Sequence, residues 1–353
     1  MKALITGGAG FIGQWTARRM ASDWDLVAMD ILSPQVHQDP DASAAAFPGD
    51  VIRADVADPG SWRRVDRPDL VLHLAAETGT AQSMYEVDRY RQVNVGGTRL
   101  AGEAARAWGV PIISLSSRAV YGEGRYRHPD GSVSFGAPTV PGAIPEDSRE
   151  TDEHRPVSVY GETKSEGEAL LAGYSSDIPV SIVRPQNVVG PGQALHNPYT
   201  GVLAAFLARM REGKVLQVYG DGEQTRDFVA VQDVAELLAW LALHPGGLGT
   251  ARVLNAGTGV RSTMNQIARF ALSGAPDGGH GMEHVDVHRA GDIEHACSDQ
   301  SHSRAIGAPQ PVISTEQAVS SFIAWSWDRP GASSRLWDAA LEELEQHGLT
   351  GHQ

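Results

Sequence analysis

Along its first 185 residues the chain alternates short apolar runs with longer stretches of helical period. The runs at 2–6, 25–29, 69–74, 110–115 and 179–184 are too short for helices and rich in Val, Ile and Leu, so they read as buried strands. Between them, 11–22, 84–108 and 159–174 carry the three-and-four spacing of helices with one apolar face. Strand–helix alternation of this kind predicts a parallel sheet with helices on both faces.

The rhythm breaks at 122–157, where Gly, Pro, Ser and charges follow no period. A connection that long without structure is uncommon, and it reads as a lid or a substrate-contacting loop. After residue 184 the pattern is irregular. A helix is then expected at 229–243, a strand at 252–255, and helices at 264–273 and 317–327. The tail SSRLWDAALEELEQHG, after a Pro-Gly break, predicts an amphipathic helix presenting Leu336, Trp337, Ala340, Leu341 and Leu344.

The 353 residues suffice for one large α/β domain and a smaller α+β lobe. A formal net charge of −14 with no Lys/Arg cluster argues against nucleic acid and anionic membranes as partners. Cys297 is the sole cysteine, which excludes an intrachain disulfide and a multi-thiolate metal site, and no metal is expected. MKALITGG runs directly into a strand, so no signal peptide is expected. No stretch reaches the ~20 apolar residues of a membrane span. A reducing, cytoplasmic setting is the expectation.

TGGAGFIG, between the first strand and the first helix, changes the picture most. Gly7, Gly10 and Gly13 provide the tight turn and the close backbone approach that a pyrophosphate at a helix N-terminus requires. Phe11 and Ile12 of that loop are placed at the cofactor. Asp30 ends the second strand, 20 positions after Gly10. A carboxylate there accepts hydrogen bonds from both ribose hydroxyls of NAD and repels the 2′-phosphate of NADP, so NAD is the predicted cofactor. Asp55 and Val56 are expected near the adenine, and Leu74, Ala75 and Ala76 beside the cofactor after the 69–74 strand. The fold class is therefore a doubly wound Rossmann sheet. Residues 1–185 and 228–257 are assigned to the NAD-binding domain, 186–227 and 258–330 to the substrate lobe, and 331–353 to a helical tail.

Tyr160 and Lys164 stand four apart on one predicted helix, hence on one face. A phenol near pKa 10 is a poor base at neutral pH, and a neighbouring ammonium favours its ionised form. Glu77 and Thr78 follow a strand end facing the cleft and are candidates to contact the substrate.

With these motifs the chain resembles the extended short-chain dehydrogenase/reductase family, within it the nucleotide-sugar epimerases and dehydratases. The resemblance rests on TGGAGFIG, HLAAETG, NVGGT, SSRAVYG, YGETK, RPQNVVGPG, GDGEQTRDFV and HRAGD. Among subgroups, SSRAVYGEG, ETGTAQSMYEVDRY and ILSPQVH are most similar to dTDP-L-rhamnose 4-epimerases, with UDP-sugar 4-epimerases next. The resemblance implies NAD kept through turnover, a dTDP- or UDP-hexose as substrate, and a homodimer formed by two long helices. By position it implies that Ser117 relays the sugar O4 proton to Tyr160. It places Asn187 and Arg226 at the diphosphate, Gln186 among the substrate contacts, and Arg289 and Asp292 near the nucleotide ribose and phosphate.

Dehydratases of the family carry acids directly after the catalytic hydroxyl, where this chain has Arg118 and Ala119. Water elimination needs one group to take a carbon-bound proton and another to protonate the leaving hydroxyl, and neither residue does this. Arg118 is kept as a substrate contact, and 4-epimerisation is the expected reaction. The alternatives are a 4-ketoreductase consuming NAD(P)H and a catalytically silent NAD-binding sensor or scaffold. The intact Ser117, Tyr160 and Lys164 argue against the latter.

Overall fold

A computed structural model describes residues 1–138, 140–199, 201–289 and 291–351. Its centre is a seven-stranded parallel sheet: β1 (Lys2–Thr6), β2 (Asp25–Asp30), β3 (Asp50–Arg53), β4 (Leu70–His73), β5 (Ile112–Leu115), β6 (Val180–Pro185) and β7 (Arg252–Ala256). The spatial order is β7-β6-β5-β4-β1-β2-β3. Successive side chains along each strand enter opposite layers. Ala3 and Ile5, Leu26 and Ala28, Leu70 and Leu72 join one apolar cluster, while Leu4, Val27, Met29 and Val71 join the other. Both faces are covered, so the strands read as continuous apolar runs.

The helices Phe11–Met20 and Val231–Leu243 pack together on one face, and Thr98–Trp108 covers the other. The predicted 84–108 stretch is helical from Val87, with a π-helical segment over Arg91–Gly97. A third apolar cluster lies outside the sheet, centred on Phe206, Leu207, Ile267, Phe322 and Ile323. Its helix Val202–Arg211 falls in the region the sequence pattern left irregular.

The order of the strands reverses between β1 and β4, which opens a crevice beyond their carboxyl ends. His73, at the end of β4, braces this point between Thr6 Oγ1 (2.8 Å) and Thr98 Oγ1 (3.0 Å). Burial, with the charge of Lys164 adding to it, draws its pKa down to about 3.

Two expectations change. The 122–157 connection is not structureless: Arg125–Arg127 pairs antiparallel with both Val133–Phe135 and Ile144–Glu146. None of its described residues lines the main cleft. Arg125 and Arg127 pair with Glu146 of that small sheet, and Arg125 also with Asp152 beyond it. The tail is helical over Ser334–Gln346, with Ala340 and Leu344 buried but Leu336 exposed. Among the described residues no helix is long and apolar enough to cross a membrane.

Candidate active site

One cavity of about 930 Å³ runs along the carboxyl ends of the strands. Its floor is the loop after β1. Gly7 has φ +66°, and a Cβ on Gly13 would sit 2.4 Å from the Gly7 carbonyl oxygen, so a side chain at either position breaks the turn. The helix that follows has no side-chain cap and no acidic residue in its first turn, leaving its N–H groups to an anion. Asp30 is buried at the end of β2. Its carboxylate accepts from Ala9 N (3.1 Å) and Leu32 N (2.8 Å), with His37 Nε2 3.6 Å away. These bonds fix its orientation, and each oxygen keeps a lone pair for a ribose hydroxyl. The cradle and the carboxylate fit NAD.

Eighteen positions expected from sequence line this cavity: Gly7, Gly10, Phe11, Ile12, Gly13, Asp30, Asp55, Val56, Leu74, Ala75, Ala76, Glu77, Thr78, Ser117, Arg118, Tyr160, Gln186 and Asn187. Four others do not. Lys164 lies behind the wall, Arg226 donates to the carbonyls of Thr225, Ile293 and Glu294, and Asp292 stands near Arg118. Arg289 has its backbone in a two-residue strand, and its side chain lies outside the described residues.

The reacting end is built by two elements. After β5 the chain enters a 3₁₀ turn, Arg118–Tyr121, whose N-cap is Ser117, with Oγ accepting from Ala119 N (3.1 Å). The helix Val159–Ala172 starts with Ser158 capping Gly161 N (3.2 Å). A Cβ on Gly161 would lie 2.6 Å from the Ala119 carbonyl oxygen, so only glycine lets helix and turn come this close. Tyr160 is held by its backbone N–H on Ser83 Oγ (3.0 Å) and by an edge-on contact with the buried Tyr90 ring.

Burial pushes the Tyr160 phenol above its ordinary value, while hydrogen bonding with Ser117 and the charge of Arg118 pull it down. Lys164 Nζ donates to the Leu115 carbonyl (2.8 Å) and lies 6.0 Å from the Tyr160 ring centroid. Burial draws it down to about 8, against the pull of Glu168. Arg118 is drawn to about 10 by burial and by Arg226, with Glu123, Asp292 and Tyr160 opposing. The two arginines thus share one field with two carboxylates beside the relay.

Ser116 points away from the cleft and hydrogen-bonds the buried Glu168, which also grips Arg184. Tyr121 donates to Asn255 Oδ1 (2.7 Å). Asn94 clamps the Glu77 backbone through Oδ1 (2.8 Å) and Nδ2 (3.1 Å), and Glu77 pairs with Arg89 (2.8 Å). Gln186 Oε1 and Asn187 Oδ1 are buried without a protein partner at the cavity wall. Sequence reasoning missed His37, residues 192–196 with Tyr199, and Arg329 with Pro330, all of which line the cavity. The only signal for the second was its turn chemistry, Pro191-Gly192 and Asn197-Pro198.

The model of the NAD dependent epimerase/dehydratase family matches residues 3–257. A dTDP-L-rhamnose 4-epimerase of Burkholderia thailandensis is 38% identical over 349 residues, covering 92% of this chain and 94% of its own length. A UDP-glucose 4-epimerase of Mycolicibacterium smegmatis is 29% identical, covering 90% of this chain and 96% of itself. Among solved structures, the UDP-glucose 4-epimerase of Thermus thermophilus in complex with NAD superposes with a TM-score of 0.76 at 25% identity. That match covers 93% of this chain and 100% of the other. The Thermotoga maritima UDP-glucose 4-epimerase, solved with UDP-glucose, gives 0.75 at 26%, covering 92% and 98%.

Proposed function

The chain belongs to the NAD dependent epimerase/dehydratase family, and on that premise we propose that it is an NAD-dependent 4-epimerase of nucleotide-linked hexoses, with a dTDP-linked 6-deoxyhexose as first candidate. The single observation that carries this is that Ser117 and Tyr160 line the same cavity as the Gly7–Gly13 turn and Asp30, with arginine where a dehydratase needs an acid.

Bound NAD supplies the acceptor, and later the donor, of the hydride at sugar C4. Ser117 takes the O4 proton and passes its own to the Tyr160 phenolate, so the proton leaves as the hydride does. Lys164, cationic at neutral pH with a pKa of about 8, holds positive charge behind the phenolate. Turning of the 4-keto sugar about its diphosphate would present its other face to the hydride that NAD supplies when bound. The proton then returns from Tyr160 through Ser117 to O4. No net redox change results. Asp30, Asp55, Val56 and the backbone at Leu74–Ala76 hold the cofactor. Glu77, Thr78, Arg118, Gln186, Asn187, Arg226, Arg289 and Asp292 serve the nucleotide sugar, within a lobe of 186–227 and 258–330. Gln186 and Asn187 have the strongest support as contacts to a hydroxyl of the sugar or ribose, because their buried amide oxygens lack protein partners and can only accept.

The test is incubation of the purified protein with dTDP- and UDP-hexoses without added cofactor, resolving the products. Epimer formation with no change in NADH is expected. Turnover only with stoichiometric NADH oxidation would replace this reading with the 4-ketoreductase one. A cytoplasmic homodimer is part of the proposal, and light scattering of the eluting protein tests the dimer.

A further inference from the structure

Residues 191–199 cross the whole cleft like a belt. At one end, Trp15 Nε1 donates to the Pro191 carbonyl (2.7 Å), tying the belt to the helix that follows the glycine loop. In the middle, His196 Nε2 donates to the Pro34 carbonyl (3.0 Å), in the loop that follows Asp30. At the other end Tyr199 lies against Gly79, where an added Cβ would be 3.0 Å from the Tyr199 Cβ. His196 and Tyr199 both line the cavity. The segment thus ties together the helix after the glycine loop, the loop after Asp30 and the turn at Gly79.

The C-terminal tail fastens the belt from outside at His196 and Tyr199, and braces Tyr85 beside it. A Cβ on Gly331 would meet Gln38 at 3.4 Å and His196 at 3.5 Å. Tyr199 OH donates to Glu343 Oε2 (2.6 Å), and since its proton is committed there, Tyr85 OH donates to Tyr199 (2.9 Å). His347 stacks on Tyr85, with ring centroids 4.5 Å apart and planes 6° from parallel. The tail is itself anchored. Arg211 Nη1 donates to the Arg329 carbonyl (2.6 Å), Ser334 N to Glu212 (2.9 Å), and Lys214 Nζ to Ser334 Oγ (2.9 Å), while Thr350–Gly351 pairs with His288–Arg289. Glu343 and His347 do not line the cavity.

We propose that residues 331–351 are a clasp that keeps the belt closed over NAD, with Glu343 as a positioning residue acting through Tyr199. The inference rests on NAD as the cofactor and not on the sugar reaction. The physical reason is kinetic. NAD leaves only when the belt lifts, and lifting breaks the charge-assisted Tyr199–Glu343 bond and the Tyr85–His347 stack, so both raise the barrier to release. An epimerase needs this, because the cofactor that takes the hydride has to be the one that returns it.

The test measures release of NADH from the full chain by fluorescence, chasing with excess NAD and no sugar present. Tyr199→Phe and Glu343→Ala are expected to raise the release rate roughly tenfold, the scale of one charge-assisted hydrogen bond. Glu343→Gln, which keeps an acceptor oxygen, is expected to fall between. A chain ending at Pro330 is expected to release fastest. With substrate, the variants should need added NAD and recover turnover at saturating NAD, which a merely misfolded protein would not do. Unchanged release in both Tyr199→Phe and Glu343→Ala overturns the proposal, as does a loss of turnover that NAD fails to restore. Should the shortened chain not fold, the point variants decide.

Discussion

The chain contains two Tyr-Gly dipeptides close to the reacting end, and only one faces the cleft. Tyr121 and Tyr160 are both pushed up by burial, and both feel an arginine. Tyr121, however, gives its proton to Asn255 Oδ1 (2.7 Å) and accepts from Arg184 Nη1 (2.8 Å), an arginine already gripped by Glu168. Its hydroxyl is fully spent on the protein. Tyr160 and Ser117 both border the cavity, so a proton has a route outward. A tyrosine becomes a proton carrier through the acceptors around it, and the dipeptide alone does not tell the two apart.

Exchanging each hydroxyl tests this contrast most strongly. Tyr160→Phe should lower kcat by about 10²–10⁴-fold, the range of general acid–base catalysis, with NAD affinity nearly unchanged by titration. Tyr121→Phe should do the reverse. It leaves Asn255 and Arg184 short of a partner, costing about 1–3 kcal/mol in denaturant unfolding, with kcat within a few-fold. A folded but silent Tyr121→Phe would break the comparison.

The serines sharpen it. Ser117→Ala should reduce kcat by about tenfold to a hundredfold, because Tyr160 loses its relay but keeps its charge environment. Ser116→Ala removes one donor from Glu168, which retains Arg184, so the expected loss is about 1 kcal/mol of stability and little rate.

The smallest effect concerns Arg118. Its charge pulls the Tyr160 pKa down, so Arg118→Met should let that pKa rise. The base must be ionised, so the rising limb of the kcat/KM–pH profile should move to higher pH. Tyr121→Phe should leave that limb where it is. A limb unmoved by Arg118→Met would remove Arg118 from the electrostatics of the base.

The cofactor half of the cleft was legible because each contact lies within a few residues of a strand end, where local pattern is strong. Gly7 and Leu74 follow β1 and β4 at once, Asp30 ends β2, and Ser117 comes two residues after β5. β3 escaped notice, since DVIR at the sheet edge is polar at both ends and half-exposed. The outer half was less legible because it is assembled from distant pieces. The 192–199 segment and Arg329–Pro330 meet over the cleft only through tertiary packing, and neither has a period to betray it. Arg226 was expected at the diphosphate, yet its guanidinium is engaged by backbone carbonyls of 225, 293 and 294, partners that no spacing reveals.

The contact between Gly161 and Ala119 ties heredity to geometry. Added bulk at 161 drives into the backbone that carries the relay serine, so base and relay cannot drift separately. A saturation library at Gly161 should return almost no tolerated residue unless the 118–121 turn is varied with it. Base and relay are one piece of machinery encoded in two stretches whose contact residues, Ala119 and Gly161, stand 42 positions apart.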